Sequence, residues 1–350
     1  MTTFDAFDFP LDSPGTLIAA LPAVLGFVPE DSLVLVTIED GELGCVMRAD
    51  LPVELPAMAD HLADVAAASD PDAAVVVIVD ADGAACRMCG DELRLVVATL
   101  DALLDERSIA LRGAYVVDRV AAGGRWHDVA DEAVSGVVED PMSSPLAAAA
   151  VLDGRRLYTR RTDLLDAIAL ADPAASDAMR PALLRAEHDG DQRPDADARR
   201  DVEHALAMVR SLAEGRLPAE SELARLACGF ADPRVRDTMY ALAVGADAGD
   251  AEALWALLTR TLPDPWRVEA LVLLAFSAYS RGDGPLAGIC LEAALDADAT
   301  HRMAGMLDQA LQTGMRPEQI RELAQTGYRL AKRLGIELPP RHGIVRRRAG

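Results

Sequence analysis

The segment Ala73–Val79 reads AAVVVIV, an unbroken apolar run in which five of the seven residues are β-branched. β-Branched residues favour extended strands. A strand that is apolar at every position, rather than at alternate positions, is typical of a sheet whose two faces are both covered. The run therefore predicts a central strand with helices packed around it.

Other patterned stretches flank this strand in the first 140 residues. Four of them have the composition of strands or partial strands, at residues 33–38, 43–51, 111–120 and 125–129. Two carry apolar residues at helical spacing, at residues 55–68 and 91–106. Asp40-Gly41 separates the first two strands and is a hairpin signal, because glycine readily adopts a positive φ. We predict an α/β (or α+β) N-terminal domain with a mixed sheet.

Strand patterns stop after about residue 142, and the remaining chain has the patterns of helices. A capping residue precedes proline at Ser144-Pro145, Asp232-Pro233 and Asp264-Pro265, which predicts a helix beginning at each proline. From Asp232 onward the helices form three pairs at intervals of about 33 to 35 residues. The middle pair resembles a tetratricopeptide repeat in its spacing of small and large residues, and an irregular helical bundle is the alternative.

These patterns divide the chain into four parts. The α/β domain takes residues 1–142, a helical connector with an acidic loop takes 143–198, the all-α domain of helix pairs takes 199–335, and a basic tail takes 336–350. The tail is expected to be disordered because it contains few apolar residues and a run of arginines.

Charge and cysteine content limit the partners and the compartment. The chain has 57 acidic and 34 basic residues, a formal charge of -23, which repels nucleic acids and anionic membranes at long range. Residues 14–29 lack charge but are too few for a membrane-spanning helix. Five scattered cysteines do not resemble a secreted disulfide framework. We expect a cytoplasmic protein without a nucleic acid or a membrane as its main partner.

Cys86 and Cys89 form a C-x-x-C motif shortly after the predicted central strand. Such a motif can be a redox pair or half of a zinc site. A zinc site needs two more ligands, and no second C-x-x-C exists. Two ordinary thiols in a loop are the simpler interpretation, so we predict no metal and no cofactor.

Asp80 and Asp82 follow the predicted central strand directly, with Gly83 after them. Ligands in open α/β sheets bind beyond the carboxyl ends of the strands, and paired carboxylates can hold Mg²⁺ or orient a hydroxyl group. Asp-Ala-Asp-Gly is also an ordinary turn sequence. Both interpretations remain open for this pair.

Trp126 and His127 bring an aromatic ring and an imidazole to a predicted strand, with Ser135 within reach in the sequence. A catalytic triad needs a hydrogen-bonded geometry, and no Gly-x-Ser-x-Gly motif marks a nucleophilic serine. We expect a half-exposed histidine at the end of a strand and retain both residues only as ligand-binding candidates.

Four arginines form a basic cluster within the acidic body of the chain, namely Arg155, Arg156, Arg160 and Arg161. Guanidinium groups beside an aromatic residue can bind a phosphate or an acidic partner. The alternative is that they neutralise nearby aspartates, each pair contributing about 0.2 to 1 kcal/mol. This cluster is the best anchor for a small anionic ligand that the sequence offers.

Several segments resemble one known family. Residues 13–34 read SPGTLIAALPAVLGFVPEDSLV and resemble the opening signature of the family called domain of unknown function 4192. Further similarities lie at residues 48–52, 124–126, 144–148 and 275–287. The resemblance implies an actinobacterial source and no catalytic residue. Many relatives carry a cysteine-containing stretch after the Gly-Arg-Trp element, whereas residues 127–142 here contain no cysteine.

Two function classes fit these observations. The first is a non-catalytic protein-interaction or scaffolding module that uses the helical region as a groove for another protein. The second is an enzyme or sensor that binds a small phosphorylated or nucleotide-like ligand at the carboxyl edge of the sheet. The sequence favours the first class, because no motif for a particular reaction is present.

Overall fold

A computed structural model of the chain describes residues 13–39, 41–51, 57–85, 87–152, 157–187 and 193–341, without the side chains at 42, 57, 87–89 and 152. The described residues up to Leu164, together with Gln312–Gly314, form one compact unit. Those of Leu165–Leu311 and from Met315 onward form a second. We call them the sheet unit and the helical unit.

One six-stranded sheet forms the centre of the sheet unit. Its strands are β1 (Ser32–Glu39), β2 (Glu42–Asp50), β3 (Ala73–Val79), β4 (Ala110–Val117), β5 (Arg125–Asp128) and β6 (Ser135–Val137), in the spatial order β2-β1-β3-β4-β5-β6. The pair β3–β4 is parallel and every other pair is antiparallel. The prediction of a mixed sheet is therefore confirmed.

The central strand has the position that its sequence predicts. All seven residues of β3 are buried, between β1 and β4. The predicted hairpin is β1–β2, with Gly41 at φ 79°, and its Asp40 lies outside the described residues. The short strand β6 was not predicted, because a three-residue segment with a glycine at its centre has no apolar pattern.

Four helices of the described chain lie wholly in the sheet unit, namely α1 (Pro14–Leu25), α2 (Ala57–Ala67), α3 (Arg87–Asp105) and α4 (Pro145–Leu152). Side chains of α2 and α3 pack against one face of the sheet, where Leu35, Val76 and Ile78 are buried with them. Helices α1 and α4 pack on each other through a separate cluster of small and apolar side chains. Helix α3 connects β3 to β4, so these elements form a βαβ unit.

The rest of the described chain is helical. Its helices are α5 (Arg161–Asp166), α6 (Pro173–Ala178), α7 (Arg180–Ala186), α8 (Asp195–Ala213), α9 (Glu220–Gly229), α10 (Pro233–Met239), α11 (Ala248–Thr261), α12 (Arg267–Ser280), α13 (Gly284–Ala297), α14 (Arg302–Gln312) and α15 (Pro317–Arg333). Short 3-10 helices span Pro141–Ser143 and Tyr240–Val244. Among the described residues the last strand ends at Val137, which confirms that the sheet is confined to the first part of the chain.

The proline-marked helix starts are right in two of three places. Helix α4 begins at Pro145, and Asp232 caps α10 by accepting a hydrogen bond from the Arg234 N–H at 2.9 Å. Helix α12 begins at Arg267, two residues after Pro265, because a turn closed by the Arg267 N–H on the Pro263 carbonyl precedes it. The stacking of α11, α12 and α13 is consistent with the predicted helix pairs, and a true repeat stays a prediction.

Candidate functional site

A cleft of about 910 Å³ opens in the sheet unit on the side of the sheet that carries α3. Residues after β3, the first half of α3, the end of β4 and the strands β5 and β6 line it. The carboxyl ends of the parallel strands β3 and β4 meet here, which is where open α/β sheets bind ligands. Its volume lies within the range of about 300 to 1,000 Å³ that small-molecule sites occupy.

Asp80 holds together the turn that follows β3. Its Oδ1 accepts hydrogen bonds from the backbone N–H groups of Asp82 at 3.0 Å and Gly83 at 2.9 Å. The N–H groups of Ala84 and Ala85 donate to carbonyl oxygens of the same turn. These four amides are already bonded, so the turn does not offer them to a phosphate. Ala81 and Gly83 line the cleft, whereas Asp80 and Asp82 do not.

Trp126 also lines the cleft, but most of its ring is buried against neighbouring residues. Its ring meets Tyr115 edge-on, with centroids 5.4 Å apart, and its Nε1 donates to the Val137 carbonyl at 3.3 Å. Gly136 stands opposite Trp126 on β6, and a Cβ at that position would lie 2.8 Å from the indole. The glycine therefore makes room for the ring, and burial and packing account for both residues.

His127 and Ser135 are cross-strand neighbours in the floor of the cleft. Backbone hydrogen bonds join Asp128 to Val134 and Val138 to Gly124. In an antiparallel ladder these alternate with non-hydrogen-bonded pairs, whose Cα atoms are only about 4.5 Å apart, and His127 with Ser135 is such a pair. Within the described residues neither side chain has a hydrogen-bond partner.

Arg119, Arg125 and Asp118 line the end of the cleft at the carboxyl edge of β4. Asp118 accepts the Arg125 backbone N–H at 2.8 Å through Oδ1 and the Arg119 guanidinium at 2.9 Å through Oδ2. The exposed guanidinium of Arg125 forms no ion pair or hydrogen bond within the described part of the chain. Arg125 lies two residues before His127 on β5, so both side chains point to the same face.

Arg94 of α3 holds the loop between β5 and β6 at the other end. Its Nε donates to the Val129 carbonyl at 3.2 Å, and its terminal nitrogens pair with Asp91 at 2.5 Å and Glu132 at 2.9 Å. Arg94 and Glu132 both line the cleft. All three nitrogens of the Arg94 guanidinium therefore donate hydrogen bonds to neighbouring residues. The Arg125 guanidinium has no such partner among the described residues.

The remaining sequence candidates are not brought into the cleft. Arg160 is 63% exposed, 3.9 Å from Asp163, and neither it nor Arg161 at the start of α5 lines the cleft. Arg155 and Arg156 lie outside the described residues. Cys86 also lies outside them, as does the side chain of Cys89. Among the described residues no group of three or more histidine, cysteine, aspartate or glutamate side chains could hold a metal ion.

The described free cysteines are shielded thiols. Burial raises the pKa of Cys45 to about 11, with Glu39 adding to the effect, and burial beside Glu187 raises that of Cys228 to about 11. Burial also raises the pKa of Cys290. A reactive thiol has a lowered pKa, so the raised pKa values of these three thiols disfavour the thiolate form that reacts.

Sequence reasoning missed Arg94, Arg119, Arg125 and Glu132. Two signals could have found Arg119 and Arg125. Arg119 lies at the carboxyl end of the strand predicted over residues 111–120, at the edge where ligands bind, and Arg125 precedes His127 by the two-residue period that places side chains on one face. Arg94 and Glu132 are 38 residues apart, and no local pattern indicates that they meet.

The fold and the cleft define a protein with a mixed-sheet α/β unit, a ligand-sized cleft at the strand ends and a helical unit. The family described as Domain of unknown function (DUF4192) matches residues 14–318, so the chain belongs to this family. No curated protein and no solved structure matches the chain. Among the described residues, no helix is both long and apolar enough to cross a membrane.

Proposed function

We propose that the sheet unit binds a small organic anion, a carboxylate or a phosphate ester, in the cleft at the ends of β3 and β4. The observation that carries this proposal is the Arg125 guanidinium, which lines the cleft without a carboxylate on its side chain among the described residues. The surrounding chain is strongly acidic. An unpaired arginine in a concave site is a ready partner for an anion, because its planar donors match carboxylate and phosphate oxygens.

The neighbours of Arg125 support binding by side chains. The backbone amides of the Asp80 turn are used internally, so they cannot form a phosphate-binding loop. His127 and Ser135 add a ring nitrogen and a hydroxyl group on the same face of β5 and β6, and both are unbonded among the described residues. Asp118 accepts hydrogen bonds from the backbone of Arg125 and from the side chain of Arg119. These bonds hold the two arginines in place before a ligand binds.

The role predicted for the helical region, a protein-interaction surface, stays a prediction. The cleft carries the proposal because a cavity and unpaired polar side chains occur together there. The proposal concerns binding and assigns no reaction, since His127 forms no hydrogen bond to Ser135 or to a carboxylate within the described chain.

The test is calorimetric titration of the full chain with phenyl phosphate, with benzoate, and with benzyl alcohol as the uncharged probe. We expect at least one anion to bind and the alcohol not to. Arg125→Ala should weaken binding roughly 10- to 100-fold, because a hydrogen bond to a charged group contributes about 1.5 to 3 kcal/mol. The relative affinities of the two anions separate phosphate from carboxylate recognition.

Arg112→Ala is the matched control for Arg125→Ala. Arg112 is exposed on the neighbouring strand β4, has no side-chain partner among the described residues and does not line the cleft. Its removal changes the net charge equally and should leave the affinity unchanged. Equal loss in both variants, or no binding of either anion to the natural chain, would overturn the proposal.

A further inference from the structure

The two ends of the cleft carry opposite charge. Arg125 begins β5, and Val129, whose carbonyl accepts the Arg94 hydrogen bond, directly follows the last residue of this strand. At about 3.3 Å per residue in a strand, the two backbone positions are at most about 13 Å apart. A ligand that fills the cleft lengthwise therefore meets both ends.

The end near Arg125 is positive. Arg119 and Arg125 contribute two guanidinium groups, and Asp118 is the one carboxylate among the described residues that line this end. Because Asp118 is occupied by Arg119 and by a backbone N–H, the Arg125 side chain remains available. This end attracts an anionic group.

The end near Val129 is negative. The Arg94 guanidinium contacts two carboxylates, those of Asp91 and Glu132, which outnumber it. Asp131, in the same loop as Glu132, is exposed and adds to the negative charge. The Glu132 side chain is 48% exposed and has Arg94 as its one partner among the described residues, so a further donor can approach it. This end attracts a cationic group and repels a second anion.

Between the two ends, no aspartate, glutamate, lysine or arginine among the described residues lines the cleft. Leu93 of α3 and Val116 of β4 give it an apolar lining, and Ser135 adds a hydroxyl group. Ala84 and Ala85 are small, which leaves width for a side chain or a backbone between the ends. A ligand that fills the cleft therefore needs an uncharged central part that is long enough to place one charged group at each end of the cleft.

We propose that the ligand is an extended zwitterion, with its anionic group at Arg125 and its ammonium group at Glu132. This inference rests on the proposed function and narrows it to one ligand class. An extended chain spans at most about 3.3 to 3.6 Å per residue, so an unblocked peptide of three or four residues matches the spacing. Such a peptide carries both charges at pH 7, because its α-carboxyl group is ionised and its α-amino group is largely protonated.

The experiment compares trialanine, N-acetyl-trialanine and trialanine amide by calorimetric titration of the full chain at pH 7. Unblocked trialanine should bind most tightly. Acetylation removes the ammonium group and should weaken binding by about tenfold, and amidation removes the carboxylate and should weaken it at least as much. Dialanine, which is too short to reach both ends, should bind like the acetylated peptide.

Glu132→Gln assigns the ammonium group to its site. Glutamine keeps the shape of the side chain and an oxygen for Arg94 but loses the charge, so the variant should bind trialanine and N-acetyl-trialanine equally. Glu92→Gln is the control, because Glu92 is an exposed carboxylate of α3 that does not line the cleft, and it should keep the tenfold preference.

The outcomes separate this inference from the proposed function. If the natural chain binds N-acetyl-trialanine as tightly as trialanine, or binds benzoate or phenyl phosphate but none of the peptides, the zwitterion is wrong and the anion site stands. A preference for trialanine that persists in Glu132→Gln also overturns the inference. If neither the peptides nor the simple anions bind, both proposals fail together.

Discussion

Arg234 of the helical unit and Arg125 of the sheet unit have opposite surroundings. In the helical unit, Arg234 binds the Asp232 carboxylate through two nitrogens at 3.0 and 2.6 Å, and Asp232 is only 1% exposed. Arg193 joins the same cluster, 2.6 Å from Asp201. In the sheet unit, Arg125 lines an open cleft with no such partner among the described residues. The same residue type therefore stabilises the fold at position 234 and is available to a ligand at position 125.

This difference follows from burial. A carboxylate removed from water needs a nearby cation, and deleting one member of a buried pair leaves an uncompensated charge that costs about 3 to 5 kcal/mol. An exposed arginine keeps its hydration, so it can remain unpaired until an anion binds without lowering the stability of the fold. Mutations of the two sets should therefore affect different measurements, stability in the helical unit and ligand affinity in the cleft.

The largest expected effect is on the buried cluster. Asp232→Ala removes the partner of Arg234 and the cap of α10, so we expect the free energy of unfolding to fall by about 3 to 5 kcal/mol in chemical denaturation. Asp232→Asn keeps a side-chain oxygen for the Arg234 N–H and should lose less. A loss below about 1 kcal/mol in Asp232→Ala would contradict the structural role of the cluster.

The same aspartate gives the cluster a dependence on pH. Burial opposes ionisation of Asp232, but the hydrogen bonds and charge of Arg234, with the charge of Arg193, lower its pKa below the ordinary value. A lowered carboxyl pKa contributes stability that is present above the unfolded value, about pH 4, and is lost as pH falls through the folded value. The stability difference between the natural chain and Asp232→Asn should therefore narrow between pH 6 and pH 3.

Chemical denaturation at several pH values measures this difference directly. The comparison with Asp232→Asn removes the contributions of the other carboxylates, because both proteins share them. A gap that stays constant down to pH 3 would show that the charge of Asp232 does not stabilise the fold.

The smallest effect on stability is expected in the cleft. Arg94→Ala breaks ion pairs with exposed carboxylates, which are worth about 0.2 to 1 kcal/mol and weaken with salt. Arg125→Ala, with no side-chain partner among the described residues, should change stability by no more than about 0.5 kcal/mol. Thermal unfolding at low and high salt checks both values. If Arg125→Ala lowers the free energy of unfolding by more than about 2 kcal/mol, Arg125 stabilises the fold, and the proposed difference between Arg125 and Arg234 is wrong.

Local patterns predicted the elements of the fold better than the site. The β-branched run of β3 was found with its correct bounds, because that pattern depends on neighbouring residues alone. The hairpin β1–β2 followed from a turn signal between two apolar runs. Strand β6 has neither feature, and it forms because its three residues pair with β5.

The candidate site shows where local reasoning ends. His127 was selected, and it lines the cleft, but its neighbours Arg125 and Ser135 were not among the ligand-binding candidates. Asp80 was selected for its position after β3, and its carboxylate is used by its own turn. Whether an aspartate binds its own backbone or faces a ligand depends on the turn geometry, which the residue order alone leaves open.

The amino-acid sequence by itself determined that strands come first and helices follow, because periodicity and β-branching act over a few residues. It also determined that the chain is acidic and that a strand buried on both faces lies at the centre of the sheet. Only the tertiary structure decided which of the arginines would be neutralised and which would line a cleft. Ion pairs such as Arg94 with Glu132 join residues distant in sequence, and the pairing depends on which strand ends and helix faces the folded chain brings together.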